Sequence, residues 1–264
     1  MKLSIITVNR NNVVGLEKTI QSVVCQTFAD FEYIVIDGNS DDGSVDIIKK
    51  YADKITWWIS EPDSGIYNAM NKGIRKSTGE YCLFLNSADC LLAPETLQTV
   101  FAEIDCTADI YYSNWSKSDG TYLAIPQNVD VNYIIGHSIN HQNMLIRRSL
   151  FIEHGFYNET LRIVGDTEFL LKEAWIYKTI FVHINTDIVL YDLRGISTVH
   201  ADKRENEKKL VFKDIFGDIS PSICELYDYR TSIYGDIIEK YGNTKLLNFI
   251  LKSYRYIVKR ITRG

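Results

Sequence analysis

Ser60-Glu61-Pro62-Asp63-Ser64-Gly65-Ile66-Tyr67-Asn68-Ala69-Met70-Asn71-Lys72-Gly73-Ile74, running on through Gly79-Glu80-Tyr81-Cys82-Leu83-Phe84-Leu85-Asn86-Ser87-Ala88-Asp89, is the stretch that decides the fold. A polar turn opens a helix over 66–77 that carries several small residues. A wholly apolar strand over 81–85 follows and ends in a polar cluster closed by Asp89. A carboxylate in that position lies on the carboxyl edge of a parallel sheet, where open α/β folds place their ligands.

Working outward, Leu3 to Val8 reads as a buried parallel strand and Asn9 to Asn12 as a polar turn. Leu16, Ile20, Val23 and Val24 recur at helical spacing. Phe31 to Ile36 is a second strand, stopped by a run from Asp37 to Ser44 that is dense in turn and capping residues. A helix begins at Val45, and Ile55 to Ile59 is a third strand. The alternation predicts right-handed βαβ units in a mostly parallel, doubly wound sheet. Past Asp89 the rhythm changes. Pro94 is expected to open a helix reaching Ile104, Ile110 to Tyr112 a strand, and Thr167 to Tyr177 a helix. Residues 113–140 are mixed and turn-rich, Ile180 to Leu190 holds one or two strands, and the pattern from Lys203 onward is helical. The expected organisation is an α/β domain over 1–200 and a helical carboxyl-terminal appendage over 201–264.

The chain has 264 residues, of which 45% are hydrophobic and 24% charged, the balance of a folded globular protein rather than a disordered one. A net charge of −5 gives no ground for nucleic-acid binding. The charge is unevenly placed. Residues 244–264 hold Lys245, Lys252, Arg255, Lys259, Arg260 and Arg263 and no acid, so the tail carries +6 and the remainder −11. The five cysteines form no CxxC pair and read as reduced thiols, not as a disulfide frame or zinc site. The amino terminus is too short in its apolar run for a signal peptide, and no run approaches the length that spans a bilayer. No GxGxxG and no GxxxxGK[ST] occurs.

Strand 1 with Thr7 and Asn9, Asp37, the Asp63 turn and its helix, the Asn86-Ser87-Ala88-Asp89 cluster, His141-Gln142 and Asp166 stand in the order found in family 2 glycosyltransferases, which the chain closely resembles over 1–200 and most strongly over 1–92. The resemblance implies a glycosyltransferase A-type fold and the transfer of a hexose from a nucleotide carrier, a UDP-sugar first, to a glycan or lipid-linked glycan acceptor, with inversion at the anomeric carbon. Such a transfer must hold the nucleotide, offset the charge developing on the diphosphate, and take a proton from the acceptor hydroxyl. By resemblance, Thr7, Asn9, Asp37, Asp63 and Lys72 line the nucleotide-sugar pocket. Asp89 joins them and matches the last acid of the metal-binding motif, so that Mn²⁺ or Mg²⁺ is the implied cofactor. His141, Gln142 and Glu168 shape the donor-sugar or acceptor pocket, Asp166 matches the catalytic base, and Gly195 to Thr198 with His200 matches a closing loop. The sequence departs from the family pattern twice: Gly38 stands where a second acid often follows Asp37, and Asp89 is the only acid of its motif.

Each residue also has a plain structural reading. Asp37, Asp63, Asp89 and Asp166 are good helix caps or turn residues, Lys72 is a surface lysine, and Glu168 complements a helix dipole. His137 and His141 invite a zinc reading, which lacks a full ligand set. A nucleotide-sugar binding module without catalysis is the alternative function, and a non-enzymatic interaction protein a third. In the tail, Leu247, Ile250, Leu251, Tyr254, Ile257, Val258 and Ile261 repeat at helical spacing, with the basic residues on another face. That pattern fits a helix lying in a membrane interface or one docked on the domain. The expected location is cytoplasmic, with peripheral attachment to the inner membrane face under the first of these readings.

Overall fold

The structure is a computed structural model that describes residues 2–137, 139–191 and 201–230. Its centre is a seven-stranded sheet in the order β10-β6-β9-β4-β1-β2-β3. Strands β1 (Leu3–Asn9), β2 (Phe31–Asp37), β3 (Trp57–Ser60) and β4 (Tyr81–Asn86) are parallel, with β1 between β2 and β4. Strand β9 (Met144–Arg147) runs antiparallel between β4 and β6 (Ile110–Tyr112), and β10 (Phe181–His183) lies parallel to β6. A smaller sheet joins β5 (Cys90–Leu91), β11 (Val189–Tyr191), β7 (Trp115–Lys117) and β8 (Tyr122–Leu123).

The pleat sends successive side chains of β1 to opposite faces. Leu3 and Ile5 face a core shared with Leu16, Ile20 and Val23 of α1 (Val13–Val24), Ile48 of α2 (Ser44–Lys50), and Leu97 and Val100 of α4 (Thr96–Glu103). Ile6 points the other way, so close to α3 (Ile66–Lys76) that a Cβ on Gly73 would lie 2.4 Å from its Cγ2. On that second face Phe84 packs edge-on against Phe151 of α6 (Arg148–Glu153) and Tyr157, and Phe151 stacks on Phe169 of α7 (Gly165–Lys172) with centroids 4.6 Å apart. Helices on both faces make the sheet doubly wound, as expected.

Several boundaries move for local reasons. The helix expected from Pro94 starts at Thr96, because the Pro94 carbonyl accepts from Thr27 N (2.9 Å) and Thr96 Oγ1 accepts from Ala93 N (2.8 Å), fixing a turn ahead of it. The helix expected to Tyr177 stays α-helical only to Lys172 and closes in a wider turn over Glu173–Tyr177. There the buried Glu173 holds His154 Nδ1 (2.9 Å) and Thr179 Oγ1. The turn-rich region contains β7, β8 and α5 (Val131–Gly136).

The chain forms two compact units, Met1–Val211 and Phe212–Gly264. The division between these units falls inside α8 (Ala201–Phe216). Residues up to 211 stay with the first unit, where Glu207 bonds to the 162–164 backbone. The described part of the second unit includes α9 (Ser220–Arg230) and the ring contacts of Phe212 with Phe216 and Tyr227. No helix among the described residues is long and apolar enough to cross a membrane. The expected amphipathic tail over 244–264, and Gly195 to Thr198 with His200, lie outside the described residues.

Candidate active site

The parallel register brings Asn9, Asp37 and Ser60 together at the carboxyl ends of β1, β2 and β3. Asp37 is fully buried and accepts from Asn9 Nδ2 (2.7 Å), Ser40 Oγ (2.6 Å), Ser40 N (2.9 Å) and Ser60 Oγ (2.6 Å). A carboxylate offers about four acceptor positions, so this one is saturated and acts as the hub of the network at this sheet edge. Asn9 continues the network, its Oδ1 accepting from Ser87 Oγ at 2.6 Å. Thr7 does not reach this edge. It lies inside the sheet, paired with Val35 and Leu85, and its buried hydroxyl accepts from Tyr33 (3.0 Å).

The missing second acid at position 38 has a spatial counterpart. A Cβ on Gly38 would stand 2.3 Å from Asp63 Oδ2, so the glycine admits the Asp63 carboxylate beside Asp37's strand end. Asp63 is not the cap of α3, whose N-cap is Gly65; its Oδ1 accepts from Gly65 N (2.9 Å) and faces Arg10 Nη1 at 3.9 Å. Lys72 reaches back to this loop, bonding Glu61 Oε1 (2.8 Å) and the Pro62 carbonyl (3.0 Å). Its ammonium thereby braces the loop.

At the end of β4 the chain turns sharply through Ala88, whose φ of +88° is rare for a residue with a Cβ. Thr19 of α1 holds the turn, its Oγ1 accepting from Ala88 N (2.9 Å) and donating to the Asp89 carbonyl (2.8 Å). Asp89, 3% exposed, accepts at Oδ2 from Asn86 N (3.1 Å) and Gln142 Nε2 (3.0 Å). The carbonyl oxygens Asn86 Oδ1 and Gln142 Oε1 are buried beside it without hydrogen-bond partners. A hard divalent cation takes oxygen ligands, and this corner supplies them from Asp89, Asn86 and Gln142. The residues fit Mn²⁺ or Mg²⁺. Among the described residues no group of three or more His, Cys, Asp or Glu is placed to hold a metal ion of any kind, and the His137 ring stacks on Tyr133.

His141 and Gln142 sit in a short turn, His141–Asn143, that leads into β9. Because β9 runs antiparallel to β4, its start lies against the end of β4. Phe84 packs edge-on against the His141 ring, centroids 6.4 Å apart. His141 Nδ1 is 2.9 Å from Asp166 Oδ2, and its Nε2 is 3.1 Å from Asn86 Nδ2. A neutral imidazole satisfies both, donating from Nδ1 and accepting at Nε2. Asp166 stands on the first turn of α7, not at its cap, which is Val164. Its Oδ1 accepts from its neighbour Thr167 N (2.8 Å) and lies 3.4 Å from the Tyr67 hydroxyl. Burial and the Asp166 charge drive the Tyr67 pKa well up, so the phenol stays a donor, and its strong bond goes to the Ile163 carbonyl (2.7 Å).

Glu168 does not join Asp166. Residues two apart on a helix point to different sides. Glu168 is buried on another face of α7, bonded to Lys172 Nζ at 2.6 Å. Three further participants were not singled out by the sequence reading. The Asn86 amide links β4 to His141, and Tyr67 links α3 to the Asp166 loop, though both lie inside the quoted stretch. Lys208 of α8 is 4% exposed; burial pushes its pKa down to about 8, against the attraction of Glu205 and Asp166. A lysine in a charge-rich helix gives no sequence signal of such a place.

Comparisons with known proteins bear on the family and the fold. Residues 4–163 match the family model described as glycosyl transferase family 2. An uncharacterized glycosyltransferase of Mycobacterium tuberculosis is 28% identical over 82% of this chain and 83% of its own length. Among solved structures, TarS of S. aureus superposes with a TM-score of 0.69 at 20% identity, covering 88% of this chain and 73% of that one. In complex with UDP-GlcNAc it superposes at 0.66 and 19% identity, over 96% and 76%. Mannosyltransferase PcManGT of Pyrobaculum calidifontis, in complex with GDP-Man and Mn²⁺, gives 0.65 at 14% identity, over 97% and 80%. At these identities the structures speak for a shared fold.

Proposed function

We propose, from the premise that the chain belongs to glycosyl transferase family 2 and is a nucleotide-sugar-dependent transferase, that it moves a hexose with inversion onto a hydroxyl of a cell-surface glycan or lipid-linked glycan. The observation that carries this reading is the His141-Gln142 pair. Neighbours in sequence, they bond to two different carboxylates, His141 to Asp166 and Gln142 to Asp89. The pair thereby fixes a prospective base and a prospective cation ligand at one strand end.

Asp166 takes the proton of the acceptor hydroxyl as the new oxygen–anomeric carbon bond forms. The bond to the donor phosphate breaks on the opposite side, and the nucleoside diphosphate leaves with the electron pair. In-line displacement of this kind inverts the anomeric carbon. His141 orients Asp166 through its Nδ1–H and is itself held by Asn86. Asn9, Asp37 and Asp63 shape the nucleotide pocket, with Lys72 bracing its loop. A divalent cation held by Asp89 with the Asn86 and Gln142 carbonyls would offset diphosphate charge.

The complexes of similar proteins with UDP-GlcNAc and with GDP-Man and Mn²⁺ support a sugar-nucleotide donor, a UDP-sugar first, and a cation partner. The basic tail over 244–264 supports peripheral contact with an anionic membrane face. The test is a screen of sugar nucleotides for hydrolysis or transfer, in Mn²⁺ and in excess chelator. Activity is expected with one donor, is expected to vanish in chelator, and should be absent in Asp89→Ala with the fold retained. Full activity in chelator removes the cation from the mechanism.

A further inference from the structure

The loop that presents Asp166 is held from outside the stretch that matches the family model. Helix α7 has no side-chain cap of its own: its N-cap is Val164, which contributes no capping bond. The backbone N–H groups just ahead of it are instead collected by Glu207 of α8. Glu207 Oε1 accepts from Arg162 N (2.9 Å), and its Oε2 accepts from Ile163 N (2.9 Å) and Val164 N (3.2 Å). Three backbone donors from consecutive residues on one carboxylate leave that segment little freedom. The other side is pinned by α3 and its leading turn, where Tyr67 donates to the Ile163 carbonyl and Arg162 Nη1 donates to the Ser64 carbonyl. Asp166 follows two residues after Val164, so its position is set by a segment clamped between the nucleotide-side helix and α8. The residue after Glu207 is the buried Lys208, whose charge and that of Asp166 attract, placing this turn of α8 against the same region.

We propose that Glu207 is a positioning residue for the transferase reaction, acting through the 162–164 backbone to hold Asp166 against the acceptor hydroxyl. The first half of α8 is then part of the catalytic machinery. The proposal rests on the reading of Asp166 as the base. Its chemistry requires an acceptor of hydrogen bonds at full glutamate reach. A structural glutamate would change stability alone, whereas a positioning one changes turnover and the protonation behaviour of the base it positions.

The experiment compares Glu207→Met, which keeps length and helix preference but accepts nothing, with Glu207→Gln, which keeps one acceptor oxygen. The full-length protein is used, with the best sugar nucleotide from the screen as substrate and UDP with Mn²⁺ as the binding probe. A misplacement of the base of about 1 Å costs on the order of 10²-fold in rate. Glu207→Met is expected to lose turnover on that scale, to bind UDP as the parent does, and to shift the acidic limb of the turnover–pH profile. Amide exchange at Ile163 and Val164 is expected to quicken in Glu207→Met, with Glu207→Gln intermediate in both turnover and exchange. Should Glu207→Met not fold, Glu207→Gln decides through the same readouts. Parental turnover and parental exchange in the folded variants overturn the proposal. So does a loss of turnover that leaves the acidic limb in place or follows loss of UDP binding. Asp166→Asn, run alongside, separates the two ideas: if that variant keeps its turnover, the base reading fails whatever Glu207 does. If only Glu207 proves inert, the positioning role fails alone.

Discussion

Asp166 keeps one oxygen for His141 and shares the other between Thr167 N and the more distant Tyr67 hydroxyl. Asparagine in its place preserves the shape but cannot take a proton. A general base contributes about 10²–10⁴-fold, so Asp166→Asn is expected to lose turnover on that scale while UDP binding, measured by calorimetry, stays put. Parental turnover in the variant would hand the role to another group, and Glu168 is poorly placed for it, buried on another face and bonded to Lys172. Lys208 makes a separate residue-scale expectation. Its pKa falls from an ordinary 10.5 to about 8 in the folded chain, burial being the largest cause. The unfolded chain thus holds a proton between those values that the folded one has released, and stability from this group rises with pH across that window. Below pH 8 the full cost of burying the charge applies, on the order of 3 kcal/mol from that displacement. Lys208→Met is expected to lose the rise in stability between about pH 8 and 10, in thermal melts at a series of pH values. Much of this scale was legible beforehand. Asp37 closes β2, Asp63 and Asp89 follow β3 and β4, His141 and Gln142 lead into β9, and Asp166 stands on the first turn of α7, each in a short motif visible in the sequence. The partners of the Thr7, Lys72 and Glu168 side chains, namely Tyr33, Glu61 and Lys172, are tertiary facts that no local pattern announces.

Helix α7 is only eight residues long, yet it carries the prospective base on its first turn. Its opening Gly165 lies under the Tyr67 ring, where a Cβ would meet Cε2 at 2.7 Å. Alanine improves helix propensity over glycine by about 1 kcal/mol. Forcing extra volume into a packed site typically costs about 1–3 kcal/mol. The collision is with a buried ring tied to the Ile163 carbonyl, so the second effect wins. Gly165→Ala is therefore expected to lower the denaturant midpoint and to depress turnover with it; a variant more stable than the parent would show that the ring gives way. Long elements with a clear period were read correctly from sequence, since alternating apolar strands and amphipathic helices are set by their own residues. The small sheet was not, because strands of two or three residues such as β5, β7 and β8 are too short to show a period. The turn over Glu173–Tyr177 was read as plain helix, because the widening depends on Glu173 turning inward to His154 and Thr179.

At the scale of the whole sheet, the strand order puts β1, β2 and β3 on one side and β9, β6 and β10 on the other, with β4 and the Asp89 turn that follows it between them. The tail over 244–264 lies beyond the described residues, and its sequence makes its own expectation: salt-sensitive binding to anionic vesicles by the full chain, lost when 244–264 is deleted. Each basic residue near such a surface adds about 1 kcal/mol, screened by salt. Equal vesicle binding by the truncated protein, or none by the full one, rules the tail out as the anchor. The α/β class was legible here because alternation is a whole-chain signal. The bond from Ile163 N to Glu207 was not, since it joins a backbone to a side chain more than forty residues downstream. That reach has a consequence for biosynthesis. The units around β1, β2 and β3 bury their apolar surface through near neighbours and can condense as the chain emerges, amino terminus first. The Asp166 loop needs its clamp from a segment made later, and closing such distant contacts is slow. A nascent chain therefore forms the Asn9–Asp37–Ser60 network before its Asp166 loop is clamped, and that loop settles at the end of folding rather than at its onset.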